Sequence, residues 1–191
     1  MSVTNASQWH SHLSAAAIPD ERRQWLMNAP RLVQAFKANL GEVVMEKLQE
    51  TYAEPLADEK GALNLKDEKA RLRQVIIATH SGHSLCYARV IIPDKTYEAY
   101  AQSFSSLGSQ FIGDSLLYNN KEVIRKDFEF ACFDSTSSYA SAFFELKPDA
   151  KIEESLWAAR RSIFLWQDNP LLITEFLLPY LVQVPYTSRE N

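Results

Sequence analysis

Apolar residues Leu32, Val33, Phe36 and Leu40 recur at helical spacing in "RLVQAFKANL", a stretch that Pro30 opens and Gly41 stops. With "ERRQWLMN", capped by Asp20, they predict two short helices at the start of the fold. "EVVMEKLQETY" alternates poorly, yet its β-branched content favours a strand. The polar segment 53–69, with Pro55 and Gly61, is expected to be a long surface connection. "ARLRQVIIAT" and "SLCYARVIIP" flank His80-Ser81-Gly82-His83, which predicts a hairpin. A helix follows from Asp94, then a shorter one broken around Gly108 and Gly113. "KEVIRKDFEFACF" is expected to be one strand, with Ile124, Phe128 and Phe130 on a shared face. "LWAARRSIFLW", a tight "QDNP" and "LLITEFLLP" form a closing hairpin that Pro179 ends. The fold class is α+β, a single antiparallel sheet of about six strands with flanking helices.

Its 191 residues suit one domain, here 1–191, with 1–17 expected to be a loose N-terminus and 135–154 an insert. A net charge of −4 without any Lys/Arg stripe argues against nucleic acid or an anionic membrane as partner. No 18-residue uncharged run exists to span a bilayer, so no stable membrane insertion is expected. The first 25 residues lack the build of a signal peptide, so a cytoplasmic location is expected, with Cys86 and Cys132 as small buried hydrophobes. His10 and His12 lie in the expected loose terminus and His80 and His83 flank a turn, so no metal site is expected. "LGSQFIG" lacks the Lys and preceding strand of a nucleotide loop, and no nucleophile elbow is present.

Strand parity brings out a different chemistry. Leu171, Ile173, Glu175 and Leu177 share one face of the last strand, so a carboxylate stands among large aliphatics. Arg73 likewise shares a face with Val75 and Ile77, and Arg89 with Leu85, Tyr87 and Ile91. An unpaired buried charge costs several kcal/mol. Two readings follow: structural ion pairs or a solvent-touched sheet edge, or a pocket in which a guanidinium fork grips a small anion and a carboxylate holds a ligand hydroxyl at the far end.

"RLRQVIIA", "ARVIIP", "LGSQFIG", "LWAARRSIF" and "PLLITEFLLP" stand in the order and approximate spacing of the chorismate lyases. From about Ile18 to Leu181 the chain resembles that family, which makes 4-hydroxybenzoate and pyruvate from chorismate for ubiquinone synthesis. "TEFLLP" is the most specific of these motifs. The resemblance implies a site on an antiparallel sheet, covered by helical flaps. In it Arg73 would bind the ring carboxylate, backbone N–H groups of Leu32 and Ile112 would help hold it, and Glu175 would contact the ring hydroxyl. Arg89 is a further candidate, either for the enolpyruvyl carboxylate or for an ion pair with Glu175 or Asp127. No organic cofactor is expected, and a monomer is. The alternative is a non-catalytic module that binds a small aromatic acid, because a chorismate-lyase-like fold also senses effectors in some transcription regulators. With about 20 residues before the resemblance begins, a winged-helix DNA reader is not expected here.

Overall fold

The computed structural model describes residues 9–13, 19–66, 69–152 and 156–188. Seven strands pair antiparallel throughout: β1 (Val43–Ala53), β2 (Ala70–Thr79), β3 (Ser84–Pro93), β4 (Val123–Arg125), β5 (Glu129–Asp134), β6 (Leu156–Trp166) and β7 (Asn169–Leu177). Their order is β1-β2-β3-β7-β6-β4, with β5 also on β6. The helices are α1 (Asp20–Asn28), α2 (Leu32–Leu40), α3 (Ala57–Leu63), α4 (Asp94–Ala99), α5 (Ala101–Ser105) and α6 (Ser138–Leu146). The sheet thus has one strand more than the six expected. "KEVIRKDFEFACF" divides into β4 and β5, which lie end to end along one edge of β6. Between them the Lys126 N–H still reaches the Ile163 carbonyl at 2.8 Å, and residues 126–128 lie outside both strands.

β2, β3 and β7 read as nearly continuous apolar runs because both of their faces are buried. On the front face, α1 and α2 bring Trp25, Leu26, Leu32 and Phe36 onto Val75, Ile77, Cys86, Ala88 and Leu177. Farther along that face, the segment 104–117 lays Phe104, Leu107, Ile112 and Leu117 on Val90, Phe164, Leu171 and Ile173. On the back face, α6 packs Tyr139, Ala140 and Phe143 against Tyr87, Trp157 and Phe176.

One expectation is corrected here, and two other segments gain detail. The connection 53–69 holds α3, whose Glu59 is wholly buried and accepts the Leu56 N–H at 2.9 Å. Of the expected loose terminus, residues 1–8 and 14–17 lie outside the described residues, whereas Trp9 is buried against Phe133 and Tyr139 and donates to Asp58 at 2.8 Å. His10 exchanges backbone hydrogen bonds with Phe130 at 2.9 and 2.7 Å. In the expected insert, residues 153–154 also lie outside the described residues, while α6 is capped by Ser137 and buries its aromatic side.

The closing hairpin turns through Gln167 and Asp168, with φ of 44° and 67°. Positive φ at both central residues is the reversal that matches strand twist, and it pairs Trp166 with Asn169. Both cysteines are free thiols, and burial pushes Cys86 up. Among the described residues no helix is long and apolar enough to cross a membrane.

Candidate functional site

Register places Arg73 opposite Val90, and Ala88 opposite Glu175. Because parity is preserved across each pair, Arg73, Ala88 and Glu175 all project from the front face. From strand spacing and rise, the Arg73 and Glu175 Cα atoms are roughly 12 Å apart. Ala88, the smallest residue on that side of β3, floors the space between them. This strip lies where the apolar block under α1 and α2 gives way to the block under residues 104–117. Helical segments therefore cover the charges from two sides.

Both are buried. Arg73 donates to Glu50 at 3.0 Å from Nη1, and to the Gly108 and Gln110 carbonyls at 2.7 and 3.3 Å from Nη2. The turn carrying Gly108, with φ of 52°, rides over the guanidinium. Glu175 accepts from Arg160 Nε at 2.7 Å, while Arg160 Nη1 donates to the carbonyls of Leu26 (3.0 Å) and Ala29 at the end of α1. The Arg160 guanidinium carbon lies over the Phe128 ring, 4.2 Å from its centroid.

Leu32 and Ile112, the two expected main-chain donors, stand at helix starts: Leu32 opens α2, and Ile112 precedes the helical turn Gly113–Leu117. A helix start leaves its first N–H groups without intrahelical acceptors, which suits them to an anion. The side chains of both are core packing, one in each cover. The covers are latched by Gln34 Nε2 on Asp114 Oδ2 at 2.6 Å and by Arg31 on the Tyr118 carbonyl at 3.1 Å. Gly113 allows Tyr118 to lie close, since a Cβ there would come within 2.5 Å of the ring. Burial, and then the charge of Glu175, push the Tyr118 phenol up to about 12, with Arg160 and Arg125 opposing.

Arg89 does not join this group. It leaves β3 on the back face and forms a fork with buried Glu59, Nε at 2.8 Å and Nη2 at 3.0 Å, with Nη1 on Gln74 at 2.5 Å. Burial works against its charge, but the bonds to Glu59 prevail and raise its pKa. Neither Glu175 nor Asp127 is its partner, because parity sends neighbouring residues of β3 to different faces. Arg160, by contrast, escaped the sequence reading, although counting back from the "QDNP" turn pairs it with Glu175.

A cleft of about 680 Å³ opens on the back face between α3 and α6. Its Asp58 is engaged by Trp9 and Tyr139 at 2.8 Å each and by Arg161 at 3.4 Å. The cleft is separated from Arg73 and Glu175 by the sheet. Among the described residues no cluster of three or more His, Cys, Asp or Glu could hold a metal ion.

An antiparallel sheet with a charged strip beneath helical covers defines the class, an α+β domain with flanking helices. The chorismate lyase family model matches residues 3–185, and the chain belongs to that family. A protein described as "Probable chorismate pyruvate-lyase" from Coxiella burnetii (strain RSA 493 / Nine Mile phase I) is 29% identical over 160 residues, 83% of each chain. The fold is also that of the PhnF C-terminal domain, with a TM-score of 0.54 at 13% identity over 87% of this chain and 94% of the other. A similar likeness, TM-score 0.51 at 14% identity, links 81% of this chain to 64% of the "possible transcriptional regulator YydK" from Bacillus subtilis subsp. subtilis str. 168.

Proposed function

We propose that the protein is a chorismate pyruvate-lyase, a carbon–oxygen lyase that eliminates pyruvate from chorismate to leave 4-hydroxybenzoate for ubiquinone synthesis in the cytoplasm, acting as a monomer. The observation that carries this reading is the pair Arg73 and Glu175, buried on one face and roughly 12 Å apart beneath the helical covers. Arg73, with the main-chain N–H groups of Leu32 and Ile112, takes the ring carboxylate, and Glu175 accepts from the ring hydroxyl. The ligand's polar groups then offset the cost of burying these charges. For a carboxylate to reach Arg73 Nη2, the Gly108 and Gln110 carbonyls must be displaced, which ties ligand binding to movement of that turn.

In the reaction the C3–O bond of chorismate breaks and the C4 hydrogen is lost. The C4–H electrons complete the aromatic ring, and the departing three-carbon enolate takes up a proton to become pyruvate. Aromatisation supplies the driving force, so the reading calls for no metal or organic cofactor. Side chains contribute by holding both ends of the ring in one conformer and by presenting fixed positive charge to the leaving group.

Purified protein incubated with chorismate is expected to produce the absorbance of 4-hydroxybenzoate together with stoichiometric pyruvate. The likeness to a possible regulator favours one other reading, a non-catalytic module for a small aromatic acid. Tight binding of 4-hydroxybenzoate without turnover would establish that module and remove the lyase.

A further inference from the structure

Arg160 is 0% exposed, and its Nη2 is a buried donor without a hydrogen-bond partner. Leaving such a donor unmet is costly, and more so when it carries charge. The rest of the guanidinium is engaged: Nε on Glu175, Nη1 on the carbonyls of Leu26 and Ala29, one face under Phe128. Nε and Nη2 form the edge of the fork that grips a carboxylate with two parallel hydrogen bonds, and Glu175 uses half of it. The orphaned N–H is thus adjacent to the Glu175 carboxylate, at the end of the strip away from Arg73.

We infer that Arg160 Nη2 receives the second carboxylate of the substrate, the one on the enolpyruvyl ether, and so discriminates the dianionic substrate from the monoanionic product. This rests on the lyase reading for its orientation: with the ring carboxylate on Arg73 and the hydroxyl on Glu175, the adjacent ether carbon faces Arg160. The role foreseen for Arg89 passes to a residue on the correct face of the sheet. It also accounts for an arginine, and no shorter or neutral residue, directly across β6–β7 from Glu175. The Tyr118 phenol lies within electrostatic reach of both Glu175 and Arg160 and stays protonated, so it adds no negative charge against the incoming carboxylate.

The test uses the wild-type chain first. Calorimetric affinity for 4-hydroxybenzoate is compared with that for 3-(carboxymethoxy)-4-hydroxybenzoate, which adds an ether-linked carboxylate at the neighbouring ring position. The dianion is expected to bind about tenfold tighter or more, as suits one added charge-assisted hydrogen bond. Equal or weaker binding overturns the inference. R160K and R160Q then separate contact from support: chorismate kcat/KM is expected to fall about 100-fold in R160Q, with partial rescue in R160K, and the preference for the dianion over 4-hydroxybenzoate is expected to vanish in R160Q whatever its affinity for 4-hydroxybenzoate alone. An undiminished preference for the dianion in R160Q would mean that Arg160 serves only to hold Glu175, and would also overturn it. Should R160Q not fold, the ligand pair on the wild-type chain still decides. Because that comparison needs no turnover, its failure is distinct from failure of the lyase reading, which the chorismate assay alone reports.

Discussion

Arg73 and Arg89 sit on the paired strands β2 and β3, and their side chains leave the sheet on opposite faces. One faces the helical covers and the other a buried glutamate, so their removal should have different consequences. Arg73→Ala is expected to weaken 4-hydroxybenzoate binding about 100-fold with little change in the urea midpoint. Arg89→Ala strands Glu59 in the interior and is expected to cost about 3–5 kcal/mol of stability, leaving ligand affinity of the folded fraction unchanged. Titration calorimetry and urea unfolding on both variants check this.

Glu175 has two duties, toward Arg160 and toward the proposed ring hydroxyl, and substitutions divide them. Glu175→Gln keeps an oxygen for Arg160 Nε and is expected to fold while losing about tenfold or more in turnover. Glu175→Leu removes that acceptor and is expected to destabilise by about 3–5 kcal/mol. A more stable Glu175→Leu protein with turnover intact would make the glutamate a structural remnant.

Alkaline stability follows from Tyr118. Its phenol is held at about 12, against 10 for an ordinary tyrosine, chiefly by burial. Between these values the unfolded chain has released a proton that the folded chain retains, so the stabilisation is complete below pH 10 and is lost as pH climbs toward 12. Chemical unfolding across this window should fall less steeply for Tyr118→Phe than for the wild-type chain. Identical slopes would show that the phenol titrates normally.

Trp9 closes the back face from outside the sheet. Its ring meets Phe133 at 5.3 Å and Tyr139 at 6.3 Å, and its N–H satisfies Asp58. Trp9→Ala is expected to cost about 3–5 kcal/mol in urea unfolding, as for other buried aromatics. Chorismate turnover should persist, since the sheet lies between Trp9 and Glu175.

The hairpins and the antiparallel α+β class were legible because periodicity and turn chemistry are local. Parity places Arg73 among Val75 and Ile77, and Glu175 among aliphatics, from the sequence alone. What parity cannot give is which face of one strand continues onto which face of the next, and it is register that sends Arg89 to Glu59. α3 was hidden because "ADEKGAL" is polar, its buried Glu59 having a partner that sequence does not reveal. Trp9 and α6 owe their order to the back face, a tertiary surface that neither segment announces by itself.

The reversal at Gln167 and Asp168 acts as the gauge of the whole cavity. It sets the count by which the penultimate strand delivers a guanidinium beside the last strand's carboxylate, strand rung for strand rung. A slip of the hairpin register by a single residue would put one member of the pair on the α6 side, since side chains alternate at every step. The most distant, least chemical corner of the hairpin therefore governs whether the interior can hold an anion at all.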